Sequence, residues 1–284
     1  MPDVRFQRVA VVGVGLIGGS IGLALKARGV AAEVVGVGRS ERSLGRMRDA
    51  GVVDLATLDL SEAARGADVV VACTPVGEVA AALARAAQAC PAEALLTDAG
   101  STKVQIVGDA IAALGAKAPQ FVGAHPLAGD HRTGPESARA DLFEGRVIVL
   151  TPTDETDPAA LQRAHDFWSS LGAEVVETTP ERHDRGLAAT SHTPHVAAAA
   201  LAAATPAETL DYAATGWADT TRVAAGDAAL WRDILLQNRE CVRDSLAALR
   251  ARLEDYDKAL ADGDGPALER MLLEGKERRD ALGS

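Results

Sequence analysis

The sequence predicts an open, mostly parallel α/β sheet followed by an all-helical segment. Three observations carry that expectation. Between residues 8 and 179, short β-branched runs alternate with stretches of helical pattern, as βαβ units do. The first of those runs ends in a glycine-rich turn that opens a helix. After Thr179 no convincing strand remains. The chain is therefore expected to divide near residue 179, into segments 1–179 and 180–284.

Taken in order, "RVAVVGV" (8–14) reads as a buried strand and "GLIGGSIGLALKARGV" as a turn opening a helix. "AEVVGVGR" is a second strand. A helix from about Ser40 to Ala50 and a short strand near Val52–Leu55 follow. "ADVVVACTPV", "ALLTDAGS" and "FVGAHPL" are further strands, separated by the helices "EVAAALARAAQA" and "TKVQIVGDAIAAL". "GRVIVLTP", "PAALQRAHDFWSSL" and "AEVVETT" close the first segment as strand, helix and strand. The second segment reads as helices from about Glu181 to Ala204, Ala228 to Ala261 and Pro266 to Ala281.

Composition bounds the function. Apolar residues make up 48%, charged residues 24%, and 284 residues are enough for a proper core. The net charge of −11 and the lack of a basic stripe argue against nucleic acid. No apolar run approaches the roughly 20 residues that span a bilayer. The N-terminus lacks the order of a signal peptide, so the cytoplasm is the expected compartment. Cys73, Cys90 and Cys241 are too scattered for a disulfide framework or a zinc cage.

"VAVVGVGLIGGS" places Gly13, Gly15 and Gly18 as G-x-G-x-x-G between the first strand and a helix. The first glycine suits a tight turn, the second a close approach to a pyrophosphate, and the third close helix–strand packing. The helix N-terminus then faces the phosphates. This context favours a Rossmann-type dinucleotide site over an ordinary glycine-rich turn. Arg39 and Ser40 stand at the end of the second strand, where an acid would bind the ribose of NAD. That modestly favours NADP over NAD, the alternative being an Arg39 that only stacks on adenine.

Three clusters hold candidate chemistry. In "TDAGSTK", Asp98, Ser101 and Thr102 are either helix caps or, for Ser101, a group facing substrate. In "FVGAHPLAGDH", His125 follows a strand and precedes Pro126, which restrains it to extended backbone. A histidine there suits an acid or base at neutral pH. His131 is as readily a surface residue. In "LAATSHTPHV", Ser191 and His195 are four apart and His192 and His195 three apart, with Pro194 expected to kink the helix. No acidic or thiol partner stands at ligand spacing, so no metal is expected. Arg222 suits a bidentate carboxylate clamp or a surface ion pair.

The stretches "VVGVGLIGGSIGLAL", "ACTPV", "TDAGSTK", "GAHPLAG", "LFEGRVIVLTPT", "HDRGLAATSHTPH" and "DTTRVA…LWRD" occur in one order across residues 8–240. Together they resemble the prephenate/arogenate dehydrogenase family. The resemblance implies NAD(P)-dependent oxidative decarboxylation, without metal, in tyrosine biosynthesis. It implies that His125 takes up the proton of the ring 4-hydroxyl, that Ser101 orients it, and that Arg222 holds a substrate carboxylate. Ser191, His195, Trp231 and His131 would line the pocket. Leu16, Ile17, Thr74 and Pro75 would join the dinucleotide set. A homodimer through the helical segment is implied. Family members that prefer prephenate often carry Glu where this chain has His131, in "HPLAGDH". Prephenate is the first choice here and arogenate the alternative. A β-hydroxyacid-type dehydrogenase would need Lys-x-x-Asn. The one asparagine, Asn238, has no lysine three residues before it. A dinucleotide sensor without catalysis would not need the set of His125, Ser101 and Arg222.

Overall fold

The computed structural model describes residues 4–129 and 132–283. Its strands are β1 (Phe6–Val12), β2 (Ala31–Val37), β3 (Leu55–Thr57), β4 (Val69–Ala72), β5 (Leu95–Asp98), β6 (Phe121–Pro126), β7 (Val147–Thr151) and β8 (Glu174–Glu177). They form one sheet in the order β3-β2-β1-β4-β5-β6-β7-β8. The first six are parallel. β7 runs antiparallel to β6, and β8 parallel to β7. The expected mostly parallel sheet is thus present. Its reversal at β7 has a local counterpart: between β6 and β7 the described residues form only a short 3-10 turn, Pro135–Ser137, in place of the α-helix that usually carries a parallel crossover.

Helices cover both faces. They are α1 (Leu16–Arg28), α2 (Glu41–Asp49), α3 (Leu60–Ala64), α4 (Val79–Ala87), α5 (Val104–Leu114) and α6 (Pro158–Ser170). Alternate residues of β1 separate into two cores. Val9 and Val11 pack with Ile21 and Leu25 of α1 and Phe167 and Trp168 of α6. Ala10 and Val12 pack with Ala63 of α3, Leu83 of α4 and Ile106 of α5. This is why the strands read as continuous apolar runs rather than alternating ones.

The rest is helical: α7 (Pro180–Leu187), α8 (Thr193–Ala204), α9 (Thr215–Thr221), α10 (Ala228–Gln237), α11 (Arg239–Asp262) and α12 (Gly265–Asp280). Three expectations shift here or in the sheet. The strand near residue 52 begins only at Leu55, because Val52 and Val53 turn into the core and Asp54 bonds β2 instead. The helix expected from 181 to 204 is interrupted by a π-helical turn, Ala188–His192, and resumes at Thr193 with Pro194, which lacks an N–H, in the first turn of α8. The helix from 228 to 261 divides at Asn238, whose side chain is drawn inward to bond Asp184.

No helix among the described residues is long and apolar enough to cross a membrane. The helical segment does leave large apolar side chains exposed, among them Leu236, Leu253, Leu260 and Leu272.

Candidate active site

The order of strands reverses between β1 and β4, the place where ligands enter such sheets. A cavity of about 790 Å³ opens there. Gly13, Gly15, Arg39, Thr74 and Pro75 line it, with Arg46 and Arg85 alongside. Gly13 has φ 88°, and a Cβ on it would meet the Cys73 carbonyl oxygen at 2.8 Å. A Cβ on Gly18 would come within 2.4 Å of the Gly13 oxygen, so α1 presses directly on β1. On Gly15 a Cβ would meet nothing within 4 Å.

No side chain caps α1 and no acid lies in its first turn. The backbone amides and the positive end of the helix are thus offered to an anion. The Thr74 hydroxyl oxygen is buried without a partner among the described residues. These features fit a dinucleotide. Leu16 and Ile17 form the first turn of α1 and pack against the core. Ser40 caps α2, accepting the Ser43 N–H. These three contribute through the helices they start rather than as cavity wall. Beside them, Arg46 grips Glu136 through two hydrogen bonds, which pulls the Glu136 carboxyl down to about 2.

The carboxyl ends of β5 and β6 hold a second cluster. Asp98 ends β5 and is fully buried against Lys103, also fully buried. Lys103 Nζ donates to the Ala124 carbonyl at 2.8 Å, and Asp98 accepts the Ala124 N–H at 3.0 Å. Burial lowers the Lys103 pKa, and Asp98 opposes that. The capping expected of Asp98, Ser101 and Thr102 is not what starts α5. Asp98 accepts the Gly100 N–H within the turn, and Thr102 bonds Gln237 of α10. The cap comes from α7 instead: the Asp184 carboxylate accepts the N–H groups of Lys103 and Val104 at 2.7 and 2.9 Å. Ser101 sits half-buried in the same turn.

His125 lies at the end of β6, held by the ladder to β7 and by Pro126. Its Nδ1 is 2.8 Å from His183 Nε2, and His183 Nδ1 is 2.7 Å from Asp184 Oδ1. Asn238 donates to the Asp184 main-chain oxygen at 2.7 Å and lies 3.1 Å from His192 Nδ1. The His195 ring stacks on Trp231, with centroids 3.5 Å apart. Four of the six histidines thus gather at one place. Burial, with His183, Lys103 and His192 nearby, holds His125 well below the usual imidazole value. Burial likewise pulls His192 down to about 4 and lowers His195. The His195 Nδ1 is buried without a partner among the described residues.

Ser101 lies in the turn between Gly100 and Thr102, Trp231 meets both His192 and His195, and Ser191 stands half-buried in the π-helical turn. Arg222 is exposed on the 3-10 turn Arg222–Ala225, which packs against α8. It makes no ion pair among the described residues. His131 lies outside the described residues. Sequence reasoning missed His183, Asp184, Lys103 and Asn238. "HDRG" and "TDAGSTK" contain three of them, but only the fold shows that they meet.

Comparisons with known proteins follow the same division of labour. A family model described as the nucleotide-binding domain of prephenate dehydrogenase matches residues 21–177. A second, described as the prephenate dehydrogenase dimerization domain, matches residues 179–274. The chain is 34% identical over 281 residues to the prephenate dehydrogenase of Bacillus subtilis, covering 96% of this chain and 76% of that protein. It is 34% identical over 288 residues to the cyclohexadienyl dehydrogenase of Zymomonas mobilis, covering 98% and 96%. The fold superposes on Aquifex aeolicus prephenate dehydrogenase, solved with hydroxyphenyl propionate and NAD+. The TM-score is 0.89 at 30% identity, over 97% of this chain and 98% of that one. With both family models matched in sequence along most of its length, this chain belongs to the prephenate dehydrogenase family.

Proposed function

We propose that this chain oxidatively decarboxylates prephenate to 4-hydroxyphenylpyruvate, with residues 1–179 holding the dinucleotide and residues 180–284 closing the substrate end. The observation that carries this reading is His125: an uncharged, largely buried base at the end of β6, on the same sheet edge as the dinucleotide cavity.

When bound, the nicotinamide supplies the acceptor for the hydride that leaves ring C4. His125 takes the proton of the 4-hydroxyl as C4 becomes a carbonyl. The C1 carboxylate then departs as CO2, and its bonding pair aromatises the ring. The oxygen on C4 recovers the proton from His125, so the base ends the cycle as it began. Ser101 orients the hydroxyl. Arg222 holds a carboxylate, and Ser191, His195 and Trp231 line the side-chain end. The buried, unpartnered His195 Nδ1 supports that placement. His131 belongs to the same end in this reading.

Gly13, Gly15, Thr74 and Pro75 would hold the dinucleotide, with Gly18 bringing α1 close enough to β1 to face its phosphates. Arg39 beside the cavity supports a preference for NADP over NAD. The exposed leucines of α10, α11 and α12, and the description of the matched second domain, support a homodimer. The test is the near-ultraviolet absorbance of reduced nicotinamide, measured with prephenate or arogenate and either dinucleotide. Turnover is expected with prephenate. His125→Asn should bind dinucleotide normally and lose turnover by about 100-fold or more. Wild-type protein inert in all four combinations would overturn the reading.

A further inference from the structure

The base reading of His125 leaves an energetic problem. Accepting a proton makes His125 a cation where burial disfavours one. Lys103, its Nζ bonded to the carbonyl of the preceding residue, adds a like charge nearby. Something must orient the ring and offset the charge.

The hydrogen bonds around His183 supply both. Asp184 accepts two backbone N–H groups, so its carboxylate meets His183 Nδ1 as an acceptor too. His183 Nδ1 therefore carries a hydrogen. In the neutral ring, Nε2 is then a lone pair. That lone pair faces His125 Nδ1 at 2.8 Å, so His125 Nδ1 must donate. The lone pair of His125 is thereby placed on Nε2, which meets no hydrogen-bond partner among the described residues.

We propose that His183 and Asp184 are positioning residues for the reaction: they hold His125 in the tautomer whose Nε2 accepts the substrate proton, and they stabilise the imidazolium formed there. The O–H bond of the substrate breaks and its proton goes to His125 Nε2. The Nδ1 hydrogen of His125 leans on His183 Nε2, and the charge is shared toward the Asp184 carboxylate. Asp184 acts as acceptor and counter-charge, the part a carboxylate plays behind a catalytic imidazole. Asn238 fixes the main chain of Asp184, while Asp98 neutralises Lys103 on the other side. His192 also bears on His125, but its ring is engaged by Asn238. This proposal rests on the function proposed above.

Two variants test it. His183→Gln keeps an acceptor for His125 but cannot share a positive charge. Asp184→Asn keeps the shape but removes the carboxylate. Both should lower kcat by roughly 100-fold with little change in the substrate KM or in dinucleotide binding. In Asp184→Asn the acidic limb of the kcat/KM profile should move to lower pH, because the cation on His125 loses its counter-charge. A merely structural defect would scale the profile without moving it. Asp184→Asn also uncaps α5, so His183→Gln, checked by dinucleotide titration, covers the case where it does not fold.

Nitrogen-15 NMR of the histidine rings separates failure here from failure of the function reading, since it needs no turnover. Wild-type His125 should carry its hydrogen on Nδ1, and His183→Ala should mix the two tautomers. A wild-type His125 protonated on Nε2 would overturn the proposal, whatever the enzyme turns over. So would a His183→Gln enzyme with wild-type kcat.

Discussion

Lys103 Nζ donates to the main-chain oxygen of Ala124, one residue before His125, while its charge is met by Asp98 at the end of the adjacent strand. A fully buried lysine is rare unless it is paired. Here the pair joins the carboxyl ends of β5 and β6 and fixes the backbone that presents His125.

Replacing Lys103 by Met should therefore hurt twice. It strands the Asp98 carboxylate without a counter-charge, which typically costs about 3–5 kcal/mol. It also frees the Ala124 carbonyl. Thermal unfolding should show a large loss of stability, partly recovered in the double variant Lys103→Met/Asp98→Asn. A single variant that melts with the wild type would show that the pair contributes nothing net.

Acid should destabilise the fold through the histidine cluster. In the folded chain, burial holds His125 well below 6.5 and His192 at about 4. In the unfolded chain both titrate near the ordinary value of about 6.5. Below that pH the unfolded chain binds protons that the folded chain refuses, so stability falls as pH drops from about 6.5 toward 4. Each such histidine contributes up to about 1.4 kcal/mol per pH unit across its window. Melting temperatures in that range should decline, and less steeply in His192→Asn. A flat profile would mean that these rings are not held neutral.

Arg39→Asp should reverse the dinucleotide preference. A charged hydrogen bond to a 2′-phosphate is worth about 1.5–3 kcal/mol. The ratio of kcat/KM values for NADP and NAD should shift by roughly the 10- to 150-fold this implies. Wild-type protein that uses NAD more efficiently would reduce Arg39 to a stacking surface.

Arg222→Ala should raise the substrate KM by roughly 10- to 150-fold, the loss of one charged hydrogen bond. Dinucleotide affinity should be unchanged. An unaltered KM would leave Arg222 as an ordinary surface cation.

The parts legible in the sequence were those with a local signature. β-branched runs marked β1, β2 and β4, and Gly13, Gly15 and Gly18 marked the turn at β1 through their spacing. His125 showed itself because a strand precedes it and Pro126 follows it. The partners of His125 left no such mark. His183 is 58 residues away in the chain, and Asp184 caps a helix 80 residues before it. In isolation "RHDR" reads as the polar first turn of a solvated helix. Lys103 reads as a solvated lysine until the sheet places Asp98 beside it. Asn238 lies within a helical pattern and breaks it only because Asp184 and His192 draw its amide inward. Periodicity records which face is buried, not what a buried polar group will meet.

The cap that Asp184 places on α5 also constrains how the molecule can move. α7 follows β8 directly, and bending between them is one way such a chain could open. Bending there would pull Asp184 from the amides of Lys103 and Val104 and leave both without a partner. Both bonds therefore oppose such bending. α7 is thereby tied to α5, beside the strand end that carries His125.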